Sequence, residues 1–149
     1  MRRIGRTDTP PPGARLFVYG SLKRGGPAHG RLLPGRATAF LGPARARGRL
    51  VDLGAYPGLV EGEGVVAGEL YAVRAPGLWS ELDAFELFDP DAPDPFDPET
   101  GEGSEFVRIR TRLLRPALTA FLYRYNGPAQ GARTMRGGHW PVTTQRPGL

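Results

Sequence analysis

Leu16-Phe17-Val18-Tyr19 is an apolar run that breaks at once into Gly20-Ser21-Leu22-Lys23-Arg24-Gly25, and this junction constrains the chain more than any other stretch. The first four residues favour extended backbone, and Gly20 can adopt the positive φ that brings consecutive N–H groups close to a ligand. A core strand ending in such a turn would offer main-chain donors, the Ser21 hydroxyl and the nearby cations of Lys23 and Arg24 to a small anion such as a carboxylate. A plain hairpin turn after a buried strand is the competing reading of the same residues. A phosphate loop is excluded, because Gly25 is followed by Gly26 and Pro27 where Lys and then Ser or Thr are required. No Gly-x-Gly-x-x-Gly opens a helix here either.

A chain of 149 residues suffices for one domain with its own core. Residues 1–14, rich in Arg, Thr, Pro and Gly, read as a loose arm, and 15–149 as a single domain. Leu16 to Tyr19 predicts the first strand, and Pro27 opens a short helix over Ala28 to Leu33 that Pro34-Gly35 stops. Ala37 to Leu41 and Arg47 to Leu53 read as two strands, followed by a turn around Tyr56-Pro57-Gly58. Val65 to Val73 alternates with both faces apolar, as a barrel-like sheet requires. Leu78 to Phe88 has a helical period, with Leu78, Leu82 and Phe85 on one face. Phe106 to Leu114 and Thr119 to Tyr125 close the pattern as late strands. No run is long and apolar enough to span a bilayer, and Arg2, Arg3 and Arg6 have no apolar stretch behind them. With no cysteine present, a cytoplasmic protein is expected.

The net charge of +5 rests on arginine, Lys23 being the single lysine. Arg108, Arg110 and Arg112 alternate onto one strand face, which most often is solvated. No nucleic-acid-binding motif or aromatic ladder accompanies the charge, which argues against nucleic acid as a partner. Ten of the fifteen carboxylates fall within 81–105. The Pro-rich acidic loop 89–105 reads as a solvated excursion rather than a lid or partner-binding loop. Asp91, Asp94 and Asp97 lack the glycine-centred spacing of a calcium loop. His29 and His139, with no cysteine beside them, make no zinc set, and no metal is expected.

Glu86 follows Leu82 by four positions and Phe85 by one, so the helix that buries those side chains carries this carboxylate to the edge of the core. A surface helix glutamate is the default for such a residue. Partial burial would instead raise its pKa and make it a base nearer neutrality.

Val18-Tyr19-Gly20-Ser21-Leu22-Lys23-Arg24-Gly25 resembles the opening signature of the γ-glutamylcyclotransferase-like family. Gly68-Glu69-Leu70-Tyr71-Ala72-Val73 resembles its central strand, and Leu82-Asp83-Ala84-Phe85-Glu86 resembles the Leu-Asp-x-x-Glu segment that carries its catalytic carboxylate. Gly137-Gly138-His139-Trp140 is similar to the ending of some bacterial members, with Trp140 as a packing anchor. The similarity spans about residues 15 to 126 and is nearest the γ-glutamylamine cyclotransferase branch.

The resemblance implies an α+β fold, a small mixed β-barrel or roll with one principal helix. It implies release of 5-oxoproline and a free amine from a γ-glutamyl amine, amino acid or peptide, without metal or cofactor. Glu86 would be the general acid and base, Asp83 a structural or capping residue, and Tyr19, Gly20, Ser21 and Leu22 the substrate-binding residues. The chain departs from the family at Leu87, where glycine is usual, and at Phe106-Val107-Arg108, where Tyr-x-Arg is usual. Arg108 either pairs with a carboxylate or faces solvent. Two alternatives use the same fold: removal of a γ-glutamyl group from a biosynthetic intermediate, and a non-catalytic protein that binds a small anion or nucleic acid. Nothing in the chain fixes an oligomeric state.

Overall fold

Alternation along the first strand sorts the core into two layers. Leu16 and Val18 pack with the helices, whereas Phe17 and Tyr19 pack on the opposite face with Ala44, Ala46, Leu50, Leu59, Val66, Leu70, Leu113, Ala120 and Leu122. This arrangement is seen in a computed structural model that describes residues 9–33 and 35–141. Most of the expected arm 1–14 and the expected stop at Pro34 lie outside the described residues.

The elements in order are β1 (Ala14–Val18), α1 (His29–Leu32), β2 (Thr38–Asp52), β3 (Pro57–Val73), α2 (Leu78–Phe85), β4 (Phe106–Arg112), β5 (Thr119–Tyr125) and β6 (Arg133–Thr134), with a 3-10 turn at Arg136–Gly138. They form one mixed sheet in the order β4-β5-β1-β3-β2-β6. β1 runs antiparallel to β3 and parallel to β5. The sheet curls into a half-barrel, so that the turn after β4 meets the middle of β2: Arg45 N–H donates to the Arg115 carbonyl (2.7 Å), and Leu114 N–H donates to the Arg45 carbonyl (2.9 Å). The α+β half-barrel matches the expected fold class.

The two strands expected over 37–41 and 47–53 are one strand, β2, with irregularities between Phe40 and Gly42 and between Arg47 and Arg49. Gly42, at φ 123, lets the chain pass Pro43 by a bulge instead of ending there. The reversal into β3 comes earlier than expected. The Asp52 carboxylate accepts from Gly54 N–H (2.8 Å) and the Tyr56 carbonyl accepts from Leu53 N–H (3.0 Å), so Pro57 already sits at the first strand position, where its missing donor is tolerated. Residues 61–64 bulge opposite Gly48, between the pairs Arg47↔Val65 and Arg49↔Val60. Val66, Leu70, Tyr71 and Val73 are buried, but Val65 is 46 % exposed, so burial of both faces does not reach that end.

Helix α2 buries Leu78, Trp79 and Leu82 against the sheet. It ends three residues before the expected Phe88, in a two-bond C-terminal motif: Leu87 N–H donates to the Ala84 carbonyl (3.2 Å) and Phe88 N–H donates to the Asp83 carbonyl (2.9 Å). That motif needs a left-handed residue just past the cap, and Leu87 supplies it at φ 56. This is the position where the resemblance described above implies glycine. Leu87 thus carries backbone strain that a glycine would not, at about 1 kcal/mol. Its side chain, 58 % exposed, regains little by burial. Leu87→Gly should raise stability by about 0.5–1 kcal/mol in urea unfolding with an unchanged m-value. A loss of stability would show that the Leu87 side chain contributes more than its backbone costs.

Candidate active site

The end of α2 puts Glu86 at the helix C-cap, three residues after a buried anchor. Asp83 accepts from Arg108 Nη1 on β4 (2.9 and 3.0 Å to its two oxygens) and from the Tyr123 hydroxyl on β5 (2.5 Å). Arg108 is 6 % exposed, with its guanidinium 5.4 Å from the Trp79 ring centroid and 5.8 Å from that of Phe88. The solvated face expected for Arg108, Arg110 and Arg112 therefore holds only for the last two. Arg108 takes the other course open to it and pairs with a carboxylate. Burial pushes the Asp83 carboxyl up, against the opposing pull of Tyr123 and Arg108.

The loop after β1 folds by spending its carbonyls inward. Lys23 N–H donates to the Gly20 carbonyl (3.0 Å), Gly26 N–H to that of Lys23 (2.8 Å) and Ala28 N–H to that of Ser21 (3.2 Å). No acceptor among the described residues meets the N–H groups of Gly20, Ser21 or Leu22. Gly20 does not take the positive φ open to it; a Cβ there would lie 3.0 Å from Pro57 Cγ, a tight approach where the loop passes the start of β3. The Glu69 carboxylate steadies the outer part of the loop, accepting from Arg24 N–H (2.8 Å) and the Tyr71 hydroxyl (3.0 Å).

These two ends meet in one cavity of about 270 Å³. Gly20, Ser21 and Leu22 form one part of its wall, Glu86 another, and Phe17, Val18, Pro57, Phe85 and Phe106 give it an apolar lining. The Glu86 carboxyl is pushed up to about 8, by burial first and then by the negative charges of Glu105 and Asp83. Its place at a helix C-terminus, the negative end of the peptide dipoles, works in the same direction. A carboxyl in this range can both accept and return a proton near neutrality.

Tyr19 and Tyr123 also line the cavity, but their hydroxyls are committed. Tyr19 donates to the Tyr123 carbonyl (2.6 Å) and accepts from Leu59 N–H (3.1 Å), and burial raises its pKa far above the usual phenol value. Its contribution to the wall is the ring and backbone, while its hydroxyl clips β1 to β3 and β5. The two cations expected beside the loop point elsewhere. Lys23 Nζ donates to the Trp140 carbonyl (2.7 Å), and the Arg24 guanidinium lies 3.9 Å over the Phe40 ring. Trp140 packs against the sheet core, so Lys23 fixes the C-terminal stretch instead of an anion.

Glu105 and Tyr56 escape the sequence reading, yet both line the cavity. The Tyr56 hydroxyl donates to Glu105 Oε2, and Glu105 is clamped on both sides of its backbone: its N–H donates to the Leu87 carbonyl (3.1 Å) and its carbonyl accepts from Asn126 N–H (2.8 Å). The acidic loop 89–105 is hydrogen-bonded where it rejoins the sheet. The Ser104 hydroxyl, fully buried, donates to the Ala92 carbonyl (2.8 Å), and Asn126 Nδ2 donates to the carbonyls of Pro93, Asp94 and Ser104. The signal that could have revealed Glu105 was its place directly before β4, where a strand start projects a side chain toward the end of the sheet.

Comparison with known proteins identifies the family. A family model described as gamma-glutamyl cyclotransferase, AIG2-like, matches residues 16–142. The chain belongs to this γ-glutamyl cyclotransferase family. A γ-glutamylcyclotransferase family protein of Citrobacter rodentium is 32 % identical over 130 residues, covering 85 % of this chain and 94 % of the relative. The solution structure of the similar YtfP protein of Escherichia coli has a TM-score of 0.54 at 31 % identity, covering 85 % of this chain and 95 % of that one. An AIG2-like protein from Mus musculus shares the fold with a TM-score of 0.64 at 22 % identity, covering 91 % and 97 % of the two chains. Among the described residues no helix is long and apolar enough to cross a membrane.

Two stability measurements test the site. Asp83→Asn leaves the Arg108 charge buried without its carboxylate and should cost roughly 3–5 kcal/mol of unfolding free energy. Glu86 behaves in the opposite way. Its folded carboxyl titrates near 8 against a reference of 4.5, so the folded state keeps a proton that the unfolded chain releases, and stability falls as pH rises through that window. Glu86→Gln should match the parent Tm near pH 4 and exceed it by a growing margin up to about pH 8. A pH-independent difference would contradict the burial of the carboxyl.

Proposed function

We propose that this protein is a γ-glutamyl cyclotransferase that releases 5-oxoproline and a free amine from a γ-glutamyl amine. The observation that carries the reading is the shared cavity: unclaimed N–H groups at Gly20, Ser21 and Leu22 on one wall and a half-buried carboxyl at Glu86 on another. Family membership supports the same chemistry.

The N–H groups hold the α-carboxylate of the glutamyl unit, which turns its α-amine toward Glu86. Glu86 takes a proton from the α-ammonium. The freed nitrogen attacks the side-chain carbonyl carbon, a new C–N bond closes the five-membered lactam, and the bond to the departing nitrogen breaks. Glu86 returns its proton to that nitrogen, then takes the second proton from the ring nitrogen and passes it on in the same way, so that the two protons lost by the ammonium end on the departing amine. Ring closure within one bound molecule needs a held conformation and one proton carrier, and no covalent enzyme intermediate. A carboxyl raised to about 8 favours the protonated form at neutrality, and a bound ammonium lowers its pKa by direct attraction.

Screening γ-glutamyl amines, dipeptides and glutathione for 5-oxoproline release tests the reading. Glu86→Gln keeps the shape and removes the proton carrier, so turnover should fall by at least about a hundredfold with the fold retained. The acid limb of kcat/KM in the parent protein should rise through a midpoint near pH 8. Equal turnover in parent and variant would remove Glu86 from the mechanism.

A further inference from the structure

The polar groups of the cavity wall divide by what they are already bound to. In the reading above, on which this inference rests, the loop N–H groups take the α-carboxylate and Glu86 takes the α-amine. The Tyr19 and Tyr123 hydroxyls are spent within the fold. Glu105 and Tyr56 remain for the departing half of the substrate. Glu105 lines the cavity and is 9 % exposed; Tyr56 fills one of the roughly four acceptor positions of its carboxylate, leaving acceptor capacity on a cavity-wall residue.

No lysine, arginine or histidine lines this cavity among the described residues. The nearby cations are held elsewhere: Arg108 on Asp83, Lys23 on the Trp140 carbonyl and Arg24 over Phe40. A leaving group that carries a carboxylate would therefore enter an apolar-walled space beside two acids with no cation to receive it. Such a placement is disfavoured twice, by desolvation and by like charge. A leaving group that carries an ammonium meets the reverse situation.

We propose that Glu105, held in place by Tyr56 and by its backbone bonds to Leu87 and Asn126, is a cation subsite that selects γ-glutamyl substrates whose leaving amine bears a second ammonium group, as in a mono-γ-glutamylated diamine. The same subsite rejects γ-glutamyl amino acids and peptides ending in a carboxylate. The upward push that Glu105 exerts on the Glu86 carboxyl agrees with two acids facing one small space. Phe106, where the family usually has tyrosine, packs its ring 6.1 Å from Tyr56. The phenol of this wall is thus supplied by Tyr56 and is turned onto Glu105.

The test uses three γ-glutamyl amides of matched length, made from 1,4-diaminobutane, n-pentylamine and 4-aminobutyrate, so that the far end is cationic, neutral or anionic. For the parent protein, kcat/KM should fall in that order by at least about tenfold per step. Glu105→Gln should bring the cationic-to-neutral ratio within about threefold, whereas Tyr56→Phe, which leaves the carboxylate in place, should preserve the order. An unchanged ratio in Glu105→Gln, or an equal loss for all three compounds, would overturn the subsite; the equal loss would assign Glu105 to the glutamyl half instead. Calorimetric titration of the same compounds onto Glu86→Gln separates the two readings. Affinities that keep the charge order without any turnover by the parent would reject the cyclotransferase reading and retain the subsite. Equal affinities would reject the subsite.

Discussion

The buried contact of Asp83 with Arg108 and Tyr123 is the constraint on which the rest of the site depends. It joins α2 to β4 and β5 at one point, and the helix ends two residues later, at Phe85. A carboxylate, a guanidinium and a phenol removed from water are tolerable only because each answers another. Once that contact is made, the rotation of the helix is fixed, and Glu86 can emerge only toward the space below the β1 loop. The C-terminal motif that stops α2 at Phe85 then turns the chain, and Leu87 bears the conformational cost of the turn.

The two halves of the cavity are built by opposite means. The β1 loop is made of backbone and gains its donors by spending carbonyls in consecutive turns, an arrangement that suits an oxyanion and demands little of side-chain identity. The opposite wall is made of acidic side chains held by burial and by clamped backbone. A small apolar space with donors at one end and acids at the other distinguishes the two ends of a glutamyl compound by charge alone. The proposed cyclisation requires that distinction, since the α-carboxylate and the α-amine must be sorted before the nitrogen can reach the carbonyl.

Much of the half-barrel was legible in the chain because its strands alternate and its turns carry Gly, Pro and Asp. Glu86 was legible through the Leu82-Asp83-Ala84-Phe85-Glu86 segment and its resemblance to the family, since spacing alone left it a surface helix glutamate by default. Three things were not. Gly42 and Pro43 looked like a strand boundary, whereas a bulge carries β2 through them, and only pairing with β3 decides between those outcomes. Lys23 and Arg24 looked like anion ligands because they are adjacent in sequence to the loop, but long side chains go to whatever acceptor or ring folding brings near, here the Trp140 carbonyl and Phe40. Glu105 looked like one carboxylate in an acidic run. Its place directly before β4 hinted at a position near the end of the sheet, but the long-range bonds to Leu87, Asn126 and Tyr56 that set it apart are not encoded locally.

The central claim is that a single cavity brings the loop donors and the Glu86 carboxyl onto the same small molecule. A crystal structure with 5-oxoproline bound tests this most directly. The expected result is the ligand carboxylate on the N–H groups of Gly20, Ser21 and Leu22, with its ring nitrogen within about 3 Å of the Glu86 carboxyl. A ligand seated away from that loop, or one with its carboxylate turned toward Glu86 and Glu105, would contradict it.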